Sequence, residues 1–216
     1  MLTIFVASTF LMVMSSSDRL PALLRGTVAE AVLSQFAIGV IVSLLIYVLV
    51  VRVPERSKRK RVRRSLRLQY NSFKEESIKV FLGSLQGSYN PDLVERLKDR
   101  EEFRRFFKEP VSPHQDRWHA VLNGLNEDRI KSLVIELEIL MAEIHFTLNV
   151  IDVDHPAAFA FLKRLAHVLY RSKETWSPDY DNVKELAGFM WSVHTGWNFI
   201  EGYTERDVVA EMIDAI

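Results

Sequence analysis

The sequence predicts an all-α protein, with an N-terminal transmembrane helix followed by a cytoplasmic α-helical bundle, on three observations. Residues 31–51 carry no charge and are closed by Glu30 and Arg52. As a helix they reach about 31 Å at ~1.5 Å per residue, matching a hydrocarbon core of ~30 Å. After Val51 the apolar residues recur at three- and four-residue spacing, no stretch alternates convincingly as a strand, and caps, prolines and glycines punctuate the periodic runs.

The transmembrane helix comes first in the argument because the charge pattern depends on it. Its polar members Ser34, Gln35, Ser43 and Tyr47 are uncharged, and a helix satisfies its backbone internally, so lipid accepts them. Gly39 and Ser43 form a small-xxx-small pair, a weak signal for self-association. Net charge is zero over the 216 residues, yet residues 52–67 carry +8 and residues 68–216 carry −8. Four segments follow: an apolar N-terminal segment and outer loop (1–30), the span (31–51), a basic juxtamembrane collar (52–67) and an acidic helical domain (68–216). Lys and Arg in excess near a span stay on the cytoplasmic side, and only Arg19 and Arg25 lie on the other. The expected location is the cell (inner) membrane, with the large C-terminal domain in the cytoplasm.

The collar residues Arg56, Lys58, Arg59, Lys60, Arg61, Arg63, Arg64 and Arg67 suffice as an orientation signal. They are also the candidate contacts for anionic headgroups, where each residue near the surface adds ~1 kcal/mol. Nucleic acid is not an expected partner, because the acidic domain repels phosphate. The absence of cysteine excludes disulfides, thiol catalysis and zinc–thiolate sites.

In chain order, Met1–Met14 is apolar, lacks the basic start and small-x-small end of a signal peptide, and is short for a span. A short first membrane leg, an interfacial segment and a mis-assigned start are the three readings of it. Ser15–Asp18 is a capping turn and Pro21 suits a first helical turn. Pro54 disfavours helix at Val53 and predicts a kink at the lipid boundary. Leu66, Tyr70, Phe73, Ser77, Phe81 and Leu85 make a helical stripe with one polar lapse at Ser77. Asn90–Pro91 starts one helix carrying Leu93, Leu97, Phe103, Phe106 and Phe107. Pro110 and Pro113 bracket a turn, and Ser112 is the expected cap of a helix with Trp118, Val121 and Leu122.

Asn126 caps the longest soluble helix, 127–150, with Ile130, Leu133, Leu137, Leu140, Ile144 and Leu148 as its core stripe. Asp154 is the expected cap of the next helix, whose inner residues are Phe159, Leu162, Leu165, Ala166 and Leu169. Ser177–Pro178–Asp179 is a turn and Asp181 the next cap. Residues 186–200 lack charge, are too short for a comfortable span, and predict the central helix of the bundle, stopped by Gly202. Thr204 and Asp207 resemble a capping box for a last helix ending at Ile216.

Few residues suggest chemistry. Asp152, Asp154 and His155 form a compact cluster, but a helix cap explains an aspartate there better than a metal loop does. His194 reads as a neutral core histidine, since the sequence offers it no partner carboxylate. Glu136, Glu138, Glu143 and His145 lack the Glu-x-x-His spacing of di-metal helices, position 142 being Ala142. Phosphate-binding, dinucleotide, nucleophile-elbow and zincin motifs are absent from the sequence. Core packing accounts for Trp191 and Trp197, whereas Trp176, Tyr180 and Tyr203, in or near turns, are candidates for a groove rim.

No cofactor is therefore expected. The expected activity is that of a protein-interaction or regulatory module, with the lipid bilayer and a protein as partners. A membrane-surface enzyme with an unrecognised helical site, or a structural subunit of a membrane complex, are the alternatives.

Overall fold

Helix α1 covers Thr27–Tyr47, a π-helical turn covers Val48–Arg52, and α2 covers Val53–Gln86. The structure, a computed structural model, describes residues 27–86, 89–174, 180–198 and 202–216. The readings placed on Met1–Met14, Ser15–Asp18, Pro21, Trp176 and Ser177–Asp179 lie outside those residues, as do the side chains of Tyr180, Asp181 and Trp197. Val53, where Pro54 is expected to disfavour helix, is helical, with φ −67° and ψ −48°. Pro54 has no N–H to give Val50, and its ring crowds that carbonyl. The wider π turn just ahead of Pro54 is where the misfit is taken up.

The chain divides into two compact units, Met1–Lys58 and Arg59–Ile216. In the first, Ile38, Val42, Leu45 and Ile46 are exposed, and Phe36 is 75% exposed. Among the described residues one helix is long and apolar enough to cross a membrane, and none of its most apolar window is buried.

The second unit is all-α apart from two minimal hairpins. After α2 come α3 (Pro91–Leu97), α4 (Arg100–Lys108), β1 (Pro110–Ser112), β2 (Gln115–Asp116), α5 (Arg117–Gly124), α6 (Glu127–Val150) and α7 (Pro156–Glu174). They are followed by α8 (Tyr180–Thr195), β3 (Trp197–Asn198), β4 (Gly202–Tyr203) and α9 (Val208–Asp214). Strands β1 and β2 pair antiparallel with Pro110 opposite Asp116, and β3 and β4 with Trp197 opposite Tyr203.

One core joins these elements. Helix α2 contributes Leu66, Tyr70, Phe73, Ile78 and Phe81; α4 adds Phe103 and Phe107, and α6 adds Leu133, Leu137, Leu140 and Ile144. Leu162 and Leu169 of α7, Met190 of α8 and Ile213 of α9 close it. Val62 and Leu66 are buried, so the basic run itself reaches into the apolar interior. Neighbouring helices include α6 with α7, α4 with α5 and α8, and α7 with α9.

Most departures from the sequence reading are local competitions for backbone groups. The helix expected to run unbroken from Pro91 is two, because the Asp99 carboxylate accepts from the N–H groups of Glu101 and Glu102 and restarts it. Ser112 does not cap α5: it lies in β1, and Asp116 accepts from the His119 N–H instead. His155, not Asp154, starts α7, its Nδ1 accepting from the Ala158 N–H at 3.1 Å. Phe159 is exposed, lying under the Lys163 ammonium at 5.3 Å.

The expected central helix 186–200 ends early, at Thr195. Gly196 adopts φ +86°, and a Cβ there would come within 2.8 Å of the Thr204 and Arg206 carbonyls. That left-handed glycine stops α8 and turns Trp197 and Asn198 into a strand. Thr204 serves the same corner, its N–H donating to the Gly196 carbonyl at 2.8 Å, so the cap of α9 is Asp207 alone. Helix α9 accordingly ends at Asp214.

Candidate functional site

The candidate surface starts from the basic residues of α2, which the fold sorts into kinds. Arg56, exposed, and Lys58, half-buried, belong to the first unit. In the second unit, Arg59, Arg63 and Arg67 border the buried stripe Val62–Leu66–Tyr70 and turn toward acidic partners. Arg59 pairs with Asp154, Arg67 with the Asp214 carboxylate at 2.5 Å, and Arg63 donates to the Asp214 carbonyl at 3.2 Å. Lys60, Arg61 and Arg64 occupy the outward arc, exposed and without an ion-pair partner among the described residues. Leu68, also exposed, continues that arc.

One turn further along, polarity moves inside. Asp207 caps α9 and also accepts from the Tyr70 hydroxyl at 2.9 Å and the Lys74 ammonium at 3.2 Å. Burial, reinforced by the Asp207 charge, holds the Tyr70 hydroxyl well above its ordinary pKa, so it remains a donor. Ser77, the polar lapse in the α2 stripe, is fully buried, with Oγ 3.0 Å from His194 Nε2. Ser77 Oγ also lies 2.5 Å from the Phe73 carbonyl. The consistent assignment has the serine donating to that carbonyl and the Nε2–H donating to the serine, which leaves His194 Nδ1 as an acceptor without a partner among the described residues.

Burial, with the nearby Lys74 charge adding to it, pushes the His194 pKa well below 6.5, so the ring is neutral. Phe73, Phe81 and Phe103 surround it. A serine and histidine this close invite comparison with a nucleophile and its base, but Nδ1 meets no carboxylate among the described residues and both groups are sealed from solvent. The pair fixes α2 against α8.

Helix α6 presents the other unusual surface. Opposite its core stripe, Ile135, Ile139, Ala142 and Phe146 follow at i, i+4, i+7 and i+11 and are all exposed. A cleft of about 440 Å³ at the Ile135 end is bordered by Glu76, Tyr89 and Glu136. Burial first, and the charge of Glu76 second, raise the Glu136 carboxyl above its ordinary range. A second groove, about 310 Å³, runs between α6 and α7 past His145, Lys163, His167 and Tyr170.

The other sequence candidates scatter. Asp154 goes to Arg59 and His155 to the α7 cap, and no group of three His, Asp or Glu among the described residues is arranged to hold a metal. Tyr203 is exposed on β4. The outward stripe of α6 was present in the sequence as a second set of apolar residues at helical spacing, masked by the stronger core stripe beside it. No family model matches the chain, and neither the curated proteins nor the solved structures offer a match to it.

Proposed function

We propose that this is a membrane-anchored helical protein whose acidic domain, a helical bundle held at the cytoplasmic face, acts as a protein-interaction or regulatory module. The observation that carries the anchor is the outward apolar surface of α1, none of which is buried in its most apolar window. In water such a surface would aggregate; in lipid it is the requirement. The basic residues that follow it favour the cytoplasmic side, and Lys60, Arg61 and Arg64 are the residues offered to anionic headgroups. The interaction role is supported by the outward stripe of α6, an apolar surface that the domain does not use for its own core.

Membrane extraction and reporter fusion together test the reading. The full chain should stay with the membrane pellet in alkaline carbonate and be released by detergent. A reporter active only in the cytoplasm, fused after Ile216, should give signal. Release by carbonate would overturn the anchor, and signal only from an exported reporter would overturn the orientation.

A further inference from the structure

We propose that the outward face of α6, Ile135–Ile139–Ala142–Phe146, is a docking surface for a basic amphipathic helix of a partner protein. The inference deepens the interaction reading above by naming the surface and the chemistry of what it binds. Ile135, Ile139 and Phe146 are 53%, 43% and 50% exposed in the folded unit. Their spacing gives one continuous ridge on a straight helix, the shape that the apolar side of a second helix covers. A helix apolar on both sides normally has a neighbour on both, and α6 has its core neighbours on one side only.

Charge decides which neighbour. Helix α6 carries Glu127, Asp128, Glu136, Glu138 and Glu143 against Arg129 and Lys131. Lys131 is already paired with Glu127, and Arg129 donates to the Gly124 and Gly83 carbonyls, so both cations are engaged within the fold. Glu136 and Glu143 border the ridge on one edge; on the other, toward α7, Glu138 stands in company with His145, Lys163 and His167. Next to Glu136 stands Glu76, which repels it across the cleft. An anionic membrane surface would meet this border with like charge. A second copy in antiparallel pairing would set the Glu136–Glu143 edge against itself, at a cost for each like-charge contact. Lysines or arginines along one flank of an apolar helix face satisfy both features at once: apolar contact along the ridge and opposite charge along its Glu136–Glu143 edge.

The experiment uses the full chain in nanodiscs of zwitterionic lipid, with empty nanodiscs as the blank. The probe is an 18-residue fluorescent peptide of leucine and lysine arranged as an amphipathic helix. Its counterpart has the same leucine face and glutamate in place of lysine. Anisotropy should show the lysine peptide binding at least about tenfold more tightly than the glutamate peptide. Ile139→Asp should weaken that binding by at least tenfold, and Glu136→Gln with Glu143→Gln should weaken it and flatten its dependence on salt. Ile139 is exposed, whereas Glu136 and Glu143 are half-buried and Glu143 Oε1 is buried, so an unaltered circular-dichroism melt of each variant verifies the fold. A Phe146→Ser variant provides a second probe of the ridge.

Equal binding of the two peptides would overturn the charge argument, and binding indifferent to both Ile139→Asp and Phe146→Ser would place the contact elsewhere. Association of nanodiscs that is lost on Ile139→Asp would assign the ridge to a second copy and overturn the basic partner. If carbonate releases the chain, the same peptide titrations run on the full chain in buffer without nanodiscs, so failure of the membrane reading is distinguishable from failure of this one.

Discussion

The imidazole of His194 lies flat on the ring of Phe103, centroids 4.6 Å apart and planes within 9°. A charged imidazolium has no place there, because burial and then Lys74 disfavour it. The folded pKa is below the ordinary 6.5, so the unfolded chain takes up this proton first as pH falls. The stability contributed by the neutral ring is present in full above about 6.5 and is lost as pH drops from there toward the folded value. Each unit of separation is worth about 1.4 kcal/mol. Thermal melts followed by tryptophan fluorescence should show the midpoint falling between about pH 6.5 and 5. His194→Phe, which keeps a ring against Phe103, should remove that slope.

A different window belongs to Glu75, whose carboxyl is drawn down to about 2 by hydrogen bonds from Lys79 and then Lys98. Its contribution is present above the ordinary 4.5 and fades as pH falls toward about 2. It is small, since the group is well solvated. Glu75→Gln should lower the melts between pH 5 and 7 by a small amount that does not vary with pH, and a changed slope there would show that His194 is not what titrates.

Aspartates on one side of the domain should differ in value. Asp207 caps α9 and satisfies both Tyr70 and the nearly buried Lys74. Asp207→Ala strands all three groups and should cost about 2–4 kcal/mol. Asp214, paired with Arg67 at the surface, should cost under ~1 kcal/mol as Asp214→Asn. Equal effects in denaturant titrations would contradict the burial difference.

Two phenylalanines test the core boundary. Phe103 is fully buried among Phe81, Phe107, Trp118, Trp191 and His194, and Phe103→Ala should cost about 3–5 kcal/mol. Phe159→Ala should stay within ~0.5 kcal/mol, because the ring is already exposed.

The sorting of α2 also has a direct readout. The chain has no cysteine, so Ser65→Cys accepts a single environment-sensitive dye. In nanodiscs the dye signal should shift when anionic lipid replaces zwitterionic lipid, reverse in high salt, and vanish with Lys60, Arg61 and Arg64 changed to glutamine. Changing Arg59, Arg63 and Arg67 instead should leave most of the shift. If it abolishes the shift, the inward and outward arcs do not divide the work.

Much of the fold was legible because its signals were periodic. The α6 bounds and the Asn126 cap follow from a regular stripe of Ile and Leu closed by a capping amide. What periodicity alone could not settle was which of several neighbouring caps takes the backbone: Asp116 over Ser112, His155 over Asp154 and Asp99 inside a run of helix formers. The early end of α8 was hidden because Gly188 and Gly196 look alike in sequence, yet one sits in mid-helix and the other needs positive φ. Ser77 looked like a flaw in a stripe because its partner, His194, lies 117 residues away. Of the candidate surface, the basic residues were plain in the sequence, but their division into inward and outward sets depends on where Asp154 and Asp214 come to rest.

Gly124 makes a demand on inheritance. A single Cβ at that position would sit 2.4 Å from the Ser84 carbonyl, so the backbones of α5 and α2 meet there with no room for a methyl group. The Arg129 guanidinium binds the Gly124 and Gly83 carbonyls across the same junction. Any descendant of this chain that keeps the junction must keep glycine at 124, even where the surrounding surface drifts freely. When related sequences are set side by side, an alanine at that position would mean that α5 has moved away from α2.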